Sequence, residues 1–563
     1  MFVRVKTSPN SPRKGVQICE NERINGKVRQ RIIRHVGVAM NDEQLQDLKN
    51  LATSLIPQLI QETSGMRPLF PPEELQGMNR AQTNTGIRTP TGDKELSKIS
   101  LADVVEESRV IQGIQDIYGK LFEDLGFNGI LAEKYQHTLK SVVLARLANP
   151  CSKRATSAFL EKDFGIQIPL EKIYRMMDQL HPKIQLVKKT TLTATKSLFK
   201  DKINIAFFDV TTLSFESKEV DELRKFGYSK DQKFHDTPVL ALATTDHGLP
   251  VGYKLFPGNT AEVKTLIACL NEWKDDFEIS HVVFVADRAM MSKDNLSYLE
   301  QAGYKYVIAA KIRTMNAEIK NEVLKEDGYS IFSNSKQLFW AKDIELDPLD
   351  TKSPGSPKRR LVCSYSSKRA QKDAKDRDKI LDRLTKLLSK KNDKPGSLVS
   401  NSGYKKFTVT AGGQASISTS KINQDVAWDG IHGLITNSDL PLEDVIATYH
   451  RLWVIEESFR ITKHDISARP IFHFTPERIE SHIAICFIAY TLARQAQYRL
   501  GLQKASFSIQ KIRDELLHVQ ASILRDTKNG GYYLLPSAMS KAALDIYRVF
   551  GIKRHLKPTS LKN

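Results

Sequence analysis

The spacing of apolar side chains changes several times along the chain, and each change marks a different kind of element. Residues 1–40 hold short β-rich pieces, FVRVK, GVQICENER and VRQRIIRHVG, which predict a small antiparallel unit. DEQLQDLKNLATSLIPQLIQ then takes up helical spacing. Residues 65–98 are rich in Pro, Gly, Asn and Thr with little periodicity, the mark of a linker. From 101 to about 200 the pattern is helical. Within it, SKRATSAFLEKDFGIQIPLEKIYRMMDQL (152–180) predicts a helix, a break at Gly165 and a second helix. Two readings stay open for this pair: a helix-turn-helix reader of DNA, or an ordinary αα-hairpin. Lys153, Arg154, Lys172 and Arg175 tip the balance toward DNA contact.

The period then shifts. INIAFFDV (203–210) is a continuous apolar run ending in an acid. TPVLALAT and LPVGYKLFPGN flank the turn signal TDHG and predict a hairpin. A helix is expected from about 260 to 275, a second acid-terminated run at HVVFVADRAM (281–290), a helix at 293–302 and a strand at YKYVIAA. This alternation predicts an α/β sheet with buried strands. It stops between about 314 and 435, where a basic, partly helical run and the strand-like YKKFTVTAGGQASISTSKI read as an insertion. The basic stretch 353–394 is either a DNA clamp or a solvated segment. YHRLWVIEESFRITKHD (449–465) and the apolar helix 476–500 resume the core. The expected organisation is therefore an N-terminal β-rich and helical unit (1–64), a linker (65–100) and a helical, DNA-binding domain (101–200). An α/β core follows in two parts (201–313 and 436–505), split by the insertion (314–435), and a polar C-terminal tail (506–563) ends the chain. No internal repeat is visible.

Charge narrows the function. Lys plus Arg number 84 against 65 Asp plus Glu, a net charge of +19, which favours a polyanionic partner, most often nucleic acid. The five cysteines are scattered singly, without a CxxC pair, which fits a reducing cytosol rather than a disulfide framework or zinc knuckle. The first residues, MFVRVKTSPN, lack a signal-peptide core, and the longest apolar run, IAICFIAYTLA, is too short to span a bilayer. A cytoplasmic protein without a membrane partner is expected.

Asp209 and Asp287 each end a run predicted as a buried strand. In open α/β sheets ligands gather at the carboxyl ends of the strands, and an acid there is costly without a partner. One such acid is commonly a cap or an ion-pair partner. Two on neighbouring strands would repel unless a cation lay between them, and an all-oxygen donor set suits Mg²⁺ or Mn²⁺. A third acid comes from 449–465. On one continuous helix of roughly 100° per residue, Tyr449, Glu456 and Lys463 form a single stripe. Leu452, Ile455 and Phe459 then anchor the helix, Glu457 points to solvent and Arg460 lies beside the stripe. Trp453 sits on the polar side, as a packing residue or as an aromatic that stacks on an unstacked base.

Together FFDVTTL, FVADRAM and YHRLWVIEESFRITK resemble the DDE transposases of bacterial insertion sequences, with their Tyr–Arg–Glu–Lys signature. Tyr449, Glu456 and Lys463 match that signature. Its Arg slot holds Leu452, and Arg460 is the geometric substitute. Residues 227–266 and 469–495 also resemble the family, so the likeness runs from about 140 to 500, and the gap before Glu456 is that of a long-chain subgroup with a mostly β insertion. The resemblance implies an RNase H-like, retroviral integrase-like core. It implies Asp209, Asp287 and Glu456 as catalytic metal ligands for two Mg²⁺ (or Mn²⁺) ions. It implies Tyr449, Trp453, Arg460 and Lys463 as DNA contacts, double-stranded DNA (transposon ends and target) as partner, and a homodimer in the synaptic complex. The reaction expected is nicking and strand transfer in a bacterial cytoplasm. Two other readings share these features: a non-catalytic DNA-binding protein, such as a decayed transposase or regulator, and a nuclease that never joins strands. A glycoside hydrolase gives the positive charge no role.

Overall fold

The computed structural model describes residues 1–8, 11–24, 27–64, 100–199, 203–213, 226–228, 234–236, 238–273, 283–334, 337–349, 357–389, 402–411, 414–503 and 505–561. The expected linker falls outside these apart from Ser100.

The chain opens with an antiparallel sheet, β1 (Phe2–Ser8), β2 (Ser11–Ile24) and β3 (Lys27–Ala39), backed by α1 (Asp42–Ser64). Val16, Ile18 and Val36 alternate inward onto Leu48, Leu51 and Leu55, so one face of the sheet and one stripe of the helix make a shared core. After β4 (Val104–Ile111) come α2 (Gly113–Asp124), α3 (Glu133–Ala148), α4 (Lys153–Phe164), α5 (Leu170–Leu180) and α6 (Ile184–Lys196). Gly165, at φ 67°, closes α4 in a left-handed cap, the break its sequence predicts.

The next strands are β5 (Ile205–Thr212), the short pair β6 (Phe226–Tyr228) and β7 (Phe234–Asp236), and the hairpin β8 (Val239–Thr245) and β9 (Pro250–Phe256). Then follow α7 (Glu262–Trp273), β10 (Val283–Ala286), α8 (Lys293–Gln301), β11 (Lys305–Ala309) and α9 (Ala317–Leu324). The expected insertion supplies β12 (Ser330–Asn334), β13 (Gln337–Leu346), β14 (Arg359–Tyr365), α10 (Ser367–Leu388), β15 (Thr408–Ala411), β16 (Gln414–Ile417), α11 (Thr419–Val426) and β17 (Ile431–Thr436). The chain finishes with α12 (Leu442–His450), α13 (Trp453–Arg460), α14 (Pro476–Leu502), α15 (Ile509–Leu517), β18 (Gln520–Asp526), β19 (Tyr532–Pro536), α16 (Lys541–Phe550) and β20 (Thr559–Leu561).

These elements form two compact units. The first holds Met1–Ile203, Asp209–Ala261 and Val454–Asn563; the second holds Asn204–Phe208 and Glu262–Trp453. Strand β5 belongs to both, Ile205–Phe208 to the second and Asp209–Thr212 to the first.

In the first unit α14 is the central post. It is apolar nearly all round and buried on almost every face, against α2, α3, α5 and α6. The stretch 506–563 was expected as a polar tail; its described residues, up to 561, are folded instead. β18 pairs antiparallel with β4, and β19 and β20 complete a four-stranded sheet. The physical reason is an edge: β4 alone presents a row of unpaired N–H and C=O groups, and β18 satisfies them.

In the second unit the strand order is β12-β13-β14-β17-β11-β10, followed by the first half of β5. β10 runs parallel to both β5 and β11, and β17 runs antiparallel to β11 and β14. Of the insertion's strands, β12, β13, β14 and β17 therefore continue the same sheet, with β17 covering what would otherwise be the exposed edge of β11, while β15 and β16 pair with each other in a separate hairpin. Outside the sheet, Leu384 and Phe407 centre a small satellite core under α10. Arg377 fixes that helix by a two-pronged bond to Asp429, at 2.7 and 2.6 Å.

Candidate functional site

In the second unit the parallel pair β5/β10 is registered to its last residues, Phe208 opposite Ala286. Asp209 and Asp287 are the next residues on those two strands. Asp287 is exposed; its Oδ1 accepts the N–H of Arg288 at 2.6 Å and the hydroxyl of Tyr449 at 3.5 Å. It lines a cleft of about 760 Å³ with Arg288, Arg369, His432, Tyr449 and His450. Burial, then the negative charge of Asp287, pushes the Tyr449 hydroxyl well above its ordinary range, so it stays protonated and donates. The His432 ring stands 5.2 Å from that of Tyr449. Burial, then Arg369, His450 and Arg288, pushes this imidazole down to about 4 and keeps it neutral near pH 7. A second cavity of about 560 Å³ shares Arg288, Arg369 and His432 and adds Lys311, Arg313 and Lys406. Asp425 engages both Arg313 and Lys406 there.

The signature segment is not the single helix expected. α12 stops at His450, because the Arg451 and Leu452 N–H groups turn back to Thr448 O at 3.2 Å and Tyr449 O at 2.9 Å. α13 restarts at Trp453, and a π-helical turn covers Ile461–Asp465, closed by Ile466 N–H to Ile461 O at 2.9 Å. Tyr449, Glu456 and Lys463 therefore do not share a stripe on one helix.

Glu456 is exposed in the first turn of α13, where the helix dipole favours an acid. Ile455 and Phe459 are buried and anchor the helix as their spacing predicts, while Leu452 is half-buried. Glu457 departs from expectation. Instead of pointing to solvent it binds the buried Arg494 of α14, Nη2 to Oε2 at 2.9 Å. Arg460 is 58% exposed and lies 3.7 Å from Glu457 and 3.5 Å from Asp465. Lys463 donates to Thr211 Oγ1, two residues beyond Asp209. Asp209 is half-buried, and its Oδ1 accepts the N–H of Val210 at 2.8 Å. Trp453 is 56% exposed.

A family model, that of the transposase DDE domain, matches residues 200–492, just over half of the sequence. The chain belongs to the DDE transposase family. The matched span of this transposase includes all seven residues proposed from the sequence. The cryo-EM structure of a piggyBac transposase synaptic complex with hairpin DNA is similar over 72% of this chain and 77% of that one, at 9% identity and a TM-score of 0.36. No curated protein matches this transposase. Among its described residues no helix is long and apolar enough to cross a membrane.

DDE transposases generally use divalent metal ions. Among the described residues of this one, no group of three or more His, Cys, Asp or Glu side chains stands close enough to hold an ion. The donor chemistry nonetheless fits: Asp209, Asp287 and Glu456 offer only hard oxygens. Sequence reading missed Arg288, Arg369 and His432. Arg288 had a signal, following the acid directly in ADRAM. Arg369 was hidden inside the basic run 353–394, and His432 in a strand of the insertion.

Proposed function

We propose that this chain is a DNA transposase that nicks insertion-sequence ends and transfers the strands, on an RNase H-like core. Asp209, Asp287 and Glu456 are its catalytic carboxylates. The observation that carries the reading is the register of β5 and β10, with an acid next after the last paired residue of each parallel strand, inside the matched DDE domain. The antiparallel hairpin β8–β9 and the parallel run β5, β10, β11 support the core assignment.

The three carboxylates would hold two Mg²⁺ or Mn²⁺ ions, which supply Lewis-acid activation of the attacking and leaving oxygens. The protein's own groups position and neutralise. Tyr449, kept protonated, offers a hydroxyl donor beside Asp287. Lys463 and Arg460 take phosphate oxygens, and exposed Trp453 stacks on an unstacked base. Double-stranded DNA, both transposon end and target, is the substrate, and a homodimer assembles the synaptic complex.

The deciding experiment compares binding with cleavage. Asp209→Asn, Asp287→Asn and Glu456→Gln should bind end-containing duplex like the parent and lose Mg²⁺-dependent nicking by about a hundredfold or more. Full cleavage by any one removes that residue from the catalytic set. Joining of a 3′-hydroxyl end to a second duplex separates a transposase from a nuclease.

A further inference from the structure

The first unit contains a further cavity that the proposed chemistry does not use. It encloses about 250 Å³ where the start of α4 meets the segment between α13 and α14, and Arg146, Lys153, Arg469, Phe472, His473 and His482 help to line it. Lys153, expected on a DNA-facing surface, is 3% exposed, and Arg146 is 4% exposed. Lys153 Nζ lies 3.0 Å from His482 Nδ1, and Arg146 donates to the carbonyl of Ser467 at 3.5 Å. Among the described residues the partners of these two side chains are a carbonyl and an imidazole, and His473 and the thiols of Cys151 and Cys486 lie near them.

Two basic side chains buried side by side favour an opposite charge between them, because buried charges are held by opposite charges or metals. An anion entering this cavity would supply that opposite charge. Ser152 and Lys153, at the start of the twelve-residue α4, line the same cavity, which places the positive end of a helix dipole beside it; the Ser152 hydroxyl caps that end by accepting the Ala155 N–H at 3.3 Å. Phe472, which lines the cavity, is 51% exposed, and Phe474 is 61% exposed. Large aromatic faces left in water beside a cationic pocket are the pattern of a strand-binding surface, where charge takes the backbone and the ring takes a base.

We propose that this cavity binds a phosphodiester of a nucleic-acid strand on Lys153, Arg146 and the first turn of α4, with Phe472 as the stacking platform for the neighbouring base. The site is distinct from the three carboxylates. It rests on the DNA-transposase reading only for the nature of the strand. Burial, reinforced by Arg146, pushes the Lys153 ammonium down to about 7, and a bound oxyanion would restore its charge.

The test uses the full chain with two probes, inorganic phosphate read by thermal shift and a fluorescent single-stranded oligonucleotide read by anisotropy. Phosphate should raise the melting temperature of the parent and leave that of Lys153→Met unchanged. Phe472→Ala should keep the phosphate response and bind the oligonucleotide about tenfold more weakly. Because Lys153→Met risks misfolding, Arg469→Gln, at the partly exposed wall, carries the same test and should weaken both responses. Unchanged phosphate and oligonucleotide binding in Arg469→Gln and Lys153→Met overturns the site. An unchanged oligonucleotide affinity in Phe472→Ala, with phosphate still bound, overturns the nucleic-acid assignment in favour of a free-anion site. Repeating the oligonucleotide arm in Asp287→Asn keeps the outcomes separate: a cleavage defect there leaves the pocket result standing, and a failed pocket leaves the carboxylates untouched.

Discussion

Glu457 shows how a neighbouring carboxylate can confuse the assignment of a catalytic one. It neutralises Arg494, whose side chain is 5% exposed. Removing one member of a buried pair leaves the other uncompensated; with Glu457 itself 28% exposed, solvent reduces the cost to about 1–3 kcal/mol. Glu457→Gln should therefore lower the melting temperature by several degrees while the folded fraction still cleaves; Glu456→Gln should do the reverse. Unfolding curves run beside cleavage rates separate the two, and equal stability for both variants would remove the ion-pair role. The cavity at α4 predicts a pH dependence. His473 is pushed down to about 3, His482 well below its ordinary value and Lys153 to about 7, each mainly by burial. All three bind fewer protons folded than unfolded, so stability rises with pH. For the histidines it is complete above about 6.5 and falls as pH drops toward 3; for Lys153 it keeps rising between about 7 and 10.5. Melting temperature in phosphate-free buffer should climb steeply from pH 4 to 6.5, and His473→Gln should flatten that limb. Asp209 and Asp287 stand out in the sequence because an acid ending an apolar run violates its own pattern. Glu457 does not, since its partner lies on another helix and no local spacing encodes it.

At the level of elements, regular periodicity carried far. The hairpin β8–β9, the helix pair α4 and α5 with its Gly165 break, and the apolar post α14 all follow from spacing and turn residues. The interruption between α12 and α13 does not, because 449–456 contains neither Gly nor Pro to announce it. That break gives Tyr449 its place against Asp287, on a different helix from Glu456. Tyr449→Phe should then keep the melting temperature within a degree or two and slow cleavage about tenfold, the loss of one positioned donor. A drop in DNA affinity with cleavage intact would assign Tyr449 to binding instead. Lys463 is held by Thr211 on the π-turn. Lys463→Ala should weaken duplex binding and reduce the slope of log affinity against log salt by about 1. An unchanged slope would leave Lys463 a structural tie to β5.

For the whole molecule, the charge of +19 pointed to a polyanion before any motif was read, and the family match is consistent with it. Large-scale organisation was the least legible part. Local patterns show that a strand exists and say little about its neighbours, so residues 506–563 looked like a tail, and the pairing of the insertion's strands 314–435 with the core sheet was not foreseen. Pairing across hundreds of residues, as in β4 with β18, is specified by which edges remain unsatisfied after everything else has packed. Removing residues 518–561 should accordingly abolish cooperative unfolding and give aggregated protein, measured by thermal melting and size-exclusion chromatography. A soluble truncation melting like the parent would show that β4 is stable alone.

Strand β5 carries one more implication. Its first four residues belong to one unit and its last four to the other, so one of the points where the chain passes from unit to unit lies inside a strand. Neither unit can be excised with clean borders, and gene-level shuffling of one for a homologous piece would have to keep this octapeptide compatible with both. Transplanting the second unit between relatives should succeed only when residues 205–212 travel with it or already match.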